Sequence, residues 1–106
     1  MSWDATLETA GEGHVIATWN CTHNINRMIR EAGDPDWWDS LDGLTGTEGT
    51  ALLARIITGL EADPERFRAM DPPNGWGSYD LLLPVLREMR DKPGKDGEHT
   101  VWRVSG

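Results

Sequence analysis

The sequence predicts a small α+β domain, with an antiparallel sheet of two or three strands packed against three or four helices. Three observations carry that expectation. Both ends of the chain alternate apolar and polar residues. The middle carries apolar residues at helical spacing. Stretches rich in Gly, Pro and Asp separate the two patterns.

In residues 2–9, Trp3, Ala5 and Leu7 fall on one side and Asp4, Thr6 and Glu8 on the other. That is the period of a half-buried strand. Ala10-Gly11-Glu12-Gly13 supplies turn chemistry, and His14 to Trp19 reads as a second strand, giving a hairpin. The period then changes. Ile25, Met28, Ile29 and Ala32 mark one helical face, ended by Gly33 and Asp34-Pro35. Thr45 and Glu48 have capping-box spacing ahead of a helix whose Leu52, Leu53, Ile56, Ile57 and Leu60 form one stripe. Asp63-Pro64 starts a short helix, with Asp as cap and Pro at the first helical position. A last helix runs over 78–90, where Pro84 predicts a kink or a late start. The segment KPGKDGE (92–98) reads as a mobile turn before a third strand over 99–104.

Composition narrows the class of partner. A chain of 106 residues fits one domain, 1–106. Eighteen acids against ten bases give a net charge of −8, which repels a polyanion and disfavours nucleic acid polymers. The longest apolar run, Leu81 to Leu86 around Pro84, is too short to cross a bilayer, so no membrane partner is expected. No charged segment with an apolar run opens the chain, which predicts a cytoplasmic location. The single Cys21 provides no internal disulfide framework. A sheet of this size leaves open edges, which predicts a homo-oligomer.

Six tryptophans stand against one Phe and one Tyr. Most are expected in the core, although an indole also offers a flat face on which a base or sugar can stack. Trp37 and Trp38 are adjacent and must point in different directions, so one of them is expected near a surface or a partner subunit.

Two polar stretches stand out. In WNCTHNIN (19–26), Asn20, Thr22, His23, Asn24 and Asn26 sit where a strand hands over to a helix. One helix cap needs one side chain. The surplus amide, hydroxyl and imidazole groups suggest a polar ligand site, with free helix N–H groups nearby for an anion. In DPPNGWGSYD (71–80), Gly75 and Gly77 flank Trp76 and allow a close approach, either of a core tryptophan or of a stacked ligand. Both stretches precede helices and could face one pocket. Arg27, Arg30, Arg55 and Arg103 are the available partners for an anionic ligand.

Other chemistry is not indicated. His14, Cys21, His23 and His99 lack metal-ligand spacing, so no metal or other cofactor is expected. Cys21 and His23 lack a recognisable orienting group, so no residue is assigned as catalytic.

Two segments carry a resemblance. TWNCTHNINRM (18–28) is similar to a pattern of aromatic-Asn-x-Thr-(His or Ser)-Asn followed by Met. DPERFRAMDPPNGWGSYDLLLPVL (63–86) is similar to a pattern ending in NGWG-x-Tyr-(Asp or Glu). Together they cover about a third of the chain and resemble a family of small uncharacterised proteins of actinobacteria and their phages. Trp19 and His23 occupy positions where Tyr and Ser also occur. The resemblance implies a phage-type origin. Compact acidic phage proteins often bind a host component, and one class sequesters nucleotide immune signals such as cyclic nucleotides or ADP-ribose derivatives. The expected protein is then a non-catalytic binder of a small nucleotide-type ligand, with an anti-defence role in the host cytosol. Its expected ligand-binding residues are Trp19, Asn20, Thr22, His23, Asn24, Arg27, Asn74, Trp76 and Tyr79. A protein-interaction module that inhibits a host enzyme is the alternative, and a small hydrolase with His23 as general base comes third.

Overall fold

The structure, a computed structural model, describes residues 2–73, Gly75 and residues 77–106, and of Trp38 the backbone alone. Strands β1 (Ser2–Thr9), β2 (Val15–Thr22) and β3 (Thr100–Ser105) form an antiparallel sheet in the order β2-β1-β3. Between β2 and β3 come α1 (Asn26–Ala32), α2 (Trp37–Leu41), α3 (Gly46–Ala62), α4 (Pro64–Arg68) and α5 (Tyr79–Asp91). A 3-10 turn over His23–Ile25 precedes α1, and a second 3-10 segment, Gly94–His99, precedes β3. The result is the expected α+β architecture.

Alternation along the strands divides the sheet into a dry face and a wet one. Trp3, Ala5, Leu7 and Trp102 are fully buried on the helix side, with Trp19 nearly so. Asp4, Thr18, Asn20 and Arg103 lie exposed on the other side. The stripe Leu52, Leu53, Ile56, Ile57 and Leu60 turns α3 inward, where it packs against α5 and α1. Thr45 and Glu48 close the expected capping box, each side chain bonding the other's backbone N–H. At Gly59 a Cβ would run into the backbone of Ala32, so α1 and α3 cross closely at a residue without a side chain.

Three elements depart from the sequence reading. β2 does not stop at Trp19 but continues through Thr22. β1 starts at Ser2, and its first residues need partners: Ser2 pairs with Thr22, Trp3 with Cys21 and Asp4 with Asn20. The first half of the stretch taken for a strand-to-helix junction is therefore strand. Helix α2 was not foreseen, because five residues are too few to show a helical period.

Helix α5 keeps the expected span, starting at Tyr79 behind the Ser78 cap, so Pro84 sits inside it and does not mark a late start. Its ring removes one N–H, but Pro84 and Asp80, four residues before it, are both exposed, so water can serve the freed carbonyl. Lastly, KPGKDGE is not a loose turn. Pro93 and Gly97 are buried, and a Cβ on Gly46 or Gly97 would strike the other's segment, so the 3-10 run is locked onto the start of α3.

The two outer edges of the sheet differ. Beside β3, Gly43 N–H donates to Trp102 O at 2.8 Å and Trp102 N–H to Leu44 O at 2.8 Å. Val104 N–H donates to Asp42 Oδ1 at 2.9 Å, and Thr45 bridges to Val101. Residues 42–45 thus stopper that edge. Along the outer side of β2 no backbone partner is present among the described residues.

Candidate functional site

The end of β2 and the start of α5 enclose a cleft of about 210 Å³. Asn20, Cys21 and Thr22 of β2 and Ile25 of the following turn form one wall. Gly77, Ser78, Leu81, Leu82 and Val85 form the other. The two polar stretches singled out in the sequence, remote along the chain, therefore meet.

Gly77 is what lets them meet. Its φ is +93°, a region open to glycine and strained for other residues. A Cβ there would lie 2.8 Å from Thr22 Cγ2 and 2.9 Å from Ile25 Cγ2. One residue on, Ser78 accepts from Leu81 N–H at 3.2 Å and caps α5. Asp71 accepts from Tyr79 N–H at 2.8 Å, which ties the loop's beginning to its end.

The expected site residues separate into three groups. Asn20 and Thr22 line the cleft. Their polar atoms are also used by the fold: Asn20 Nδ2 donates to Asp4 Oδ1 at 2.6 Å and to Ser2 Oγ at 3.1 Å, and Thr22 Oγ1 accepts from Asn24 N–H at 3.3 Å. The surplus inferred from the sequence is correspondingly smaller. Extending β2 set Asn20 opposite Asp4, where an amide and a carboxylate make a cross-strand pair.

Trp19, His23, Asn24, Arg27 and Tyr79 are not part of the cleft lining. Trp19 faces the core, 8% exposed, with its ring 5.5 Å from that of Trp102 and its Nε1–H donating to Glu88 Oε1 at 3.2 Å. An alternating strand sends Trp19 inward once Asn20 faces out. His23 is half-buried at the first position of the 3-10 turn. Asn24 is exposed on the same turn. Arg27 is exposed and pairs with Glu31 at 3.4 Å, one helical turn along. Tyr79 is buried, stacked on Phe67 and donating its hydroxyl to Leu60 O at 3.0 Å. Tyr79 thereby anchors α5 to α3. Asn74 and Trp76 lie outside the described residues.

The apolar part of the lining was not anticipated. Ile25 reads from the sequence as a helix-face residue and Leu82 and Val85 fall within the apolar run 81–86, and a sequence cannot tell a core position from a cleft floor. Leu81 did carry a signal, being a large apolar residue out of phase with the buried face of its helix. It is 68% exposed.

Charge is sparse at the cleft. None of its lining residues is basic or acidic. The ionisable group present is the Cys21 thiol, which burial pushes up to about 11. At neutral pH it stays protonated, a poor nucleophile and a poor metal ligand. No group of three or more His, Cys, Asp and Glu is placed to hold a metal among the described residues.

Cys21 supplies a direct check on the buried wall. Alkylation by iodoacetamide at pH 8 is expected to be at least tenfold slower in the native protein than in urea. Equal rates would mean that the wall formed by Cys21 is open. Because the folded-state value lies above that of a free thiol, the contribution to stability is present below about pH 8.5 and is lost as pH rises towards 11. Cys21→Ser should remove that alkaline loss.

No helix is long and apolar enough to cross a membrane among the described residues. Comparison of the chain with protein-family models, with curated proteins and with solved structures finds no match.

Proposed function

We propose that this chain is a non-catalytic binding protein whose site is the cleft between β2 and α5. The ligand class we favour is a nucleotide-type signalling molecule, held through its ring and sugar. The role is sequestration of that signal in the cytosol of a host cell. The observation that carries the reading is the convergence of Asn20, Cys21, Thr22 and Ile25 with Gly77, Ser78, Leu81, Leu82 and Val85 on one concave surface. The floor of Ile25, Leu82 and Val85 suits the flat face of a base. Asn20, Thr22 and Ser78 also line the cleft, and beyond the bonds they make within the fold their amide and hydroxyl groups retain donor and acceptor capacity that suits ribose oxygens. With no cation in the lining, phosphates would project towards water and not into the cleft.

A protein partner is the second reading, and one observation favours it. The cleft, at about 210 Å³, is smaller than the roughly 300–1,000 Å³ common for ligand pockets. Leu81 stands exposed beside it as an anchor for an apolar side chain.

Thermal unfolding against a panel of cyclic nucleotides and ADP-ribose derivatives separates the two. A ligand at a hundredfold excess over its Kd should add about 2.7 kcal/mol of stability. Leu81→Asp, on an exposed position of α5, should abolish the shift while leaving the melt of the free protein within a few degrees. No shift with any member of the panel removes the nucleotide reading. A complex captured from host extract by the native chain and lost with Leu81→Asp would then support the protein partner.

A further inference from the structure

We infer that two copies of this chain pair through their β2 strands, edge to edge and antiparallel, to make one six-stranded sheet. Self-association was expected from the small size of the sheet; the geometry now points to a particular edge and a particular partner.

An edge strand offers a row of unpaired N–H and C=O groups, and proteins usually protect such edges. Here the two edges are treated differently. Residues 42–45 cover the outer side of β3, with backbone bonds to Trp102 and a side-chain bond to Val104. The outer side of β2 has no such cover among the described residues. β2 is eight residues long and contains no Lys, Arg, Asp, Glu or Pro. Its one irregularity is a register shift at the Val15 end, which leaves Ala17 to Thr22 in regular register.

Charge limits where two copies can meet. Each chain carries −8, so two copies repel across most pairs of faces. A strand without charge is where they can meet without opposing like charges. Apolar exposure selects the orientation. Among the described residues, the exposed large hydrophobic ones are Val15 (61%), Ile16 (44%) and Leu81 (68%). Val15 and Ile16 lie at the start of β2, and Leu81 lies beside the cleft at its end.

An antiparallel two-fold centred near Trp19 exchanges those ends. It brings Val15 and Ile16 of each copy alongside Cys21, Thr22 and the cleft mouth of the other. The contact is isologous, with each apolar end covering its counterpart's groove. A foreign strand would satisfy the backbone but would have no reason to match both ends. The pairing stands whether or not the cleft holds a nucleotide-type ligand.

Sedimentation equilibrium of the wild-type chain across the micromolar range tests it. The expected mass is twice 11.8 kDa, and Thr18→Lys should halve it, because an axis near Trp19 sets the two introduced charges diagonally across from each other at the centre of the edge. Circular dichroism checks that the variant is folded. If it is not, Ile16→Lys, at an exposed position, is read in its place by the same criterion. A wild-type chain that stays at 11.8 kDa overturns the pairing. So does a folded lysine variant that keeps the doubled mass, since the copies would then meet elsewhere. A monomer that still shows the ligand-induced thermal shift would overturn the pairing and leave the proposed binding function intact.

Discussion

Replacing Trp102 by alanine is expected to remove about 3–5 kcal/mol of stability, much of what a domain this small has to lose. Trp102 is fully buried, central to the dry face of the sheet, with its ring against that of Trp19. On its other side lies α3, at Gly49, where a Cβ would collide with the indole. The ring therefore fills the space between sheet and helix, and glycine leaves room for it. Urea unfolding should show a reduced midpoint with little change in slope.

The same geometry predicts a coupling. Gly49→Ala in the native background overpacks the site and should cost about 1–3 kcal/mol. In the Trp102→Ala background the added methyl meets a void, and the higher helix propensity of alanine, about 1 kcal/mol, should make the change neutral or stabilising. A double-mutant cycle with independent, additive costs would show that Trp102 does not pack on Gly49.

Much of this architecture was legible in the sequence, and the parts that were not have physical causes. Alternation in residues 2–9 gave β1 its full length, and the stripe from Leu52 to Leu60 with the Thr45–Glu48 box gave α3. These are strong local signals, repeated over several turns or pleats. β2 was cut short because Asn20, Cys21 and Thr22 have no local pattern of a strand. They are strand because β1 needs partners, a condition set by residues far away. The same non-local cause inverted the reading of Trp19. As a residue at a polar junction it was a candidate to stack on a ligand; as an inward strand position it belongs to the core.

The cleft was legible only in part. That the two polar stretches might face each other could be inferred from their shared place before helices. That their meeting surface would be floored by Ile25, Leu82 and Val85 depends on the angle at which α5 crosses the end of β2, and no periodicity encodes that angle. Arg27 illustrates the limit in the other direction. Its charge suited an anion, but the i,i+4 neighbour Glu31 takes it up on the outer surface of α1.

Gly77→Ala is expected to cost about 2–6 kcal/mol, combining a backbone strain of about 1–3 kcal/mol with an overpacking cost of similar size. The two contributions come from separate features of one residue. Its φ of +93° disfavours any Cβ, and that Cβ would press on Thr22 Cγ2 and Ile25 Cγ2 at 2.8 and 2.9 Å. They can be told apart. Thr22→Ser removes the methyl but keeps the hydroxyl that accepts from Asn24 N–H, so the helix-turn cap survives. In that background Gly77→Ala should recover the part of the steric share owed to Thr22, about 1 kcal/mol, and retain the contact with Ile25 and the backbone share. Full additivity of the two substitutions would mean that Thr22 and residue 77 do not touch, and the cleft would lose the contact that closes its inner end. If they do touch, relief of the clash by a shift of the loop should widen the cleft. The ligand-induced thermal shift should then fall by more than the loss of stability alone explains. Gly77 is thus the point at which backbone conformation, packing and the proposed binding function are coupled, and the variant reads all three.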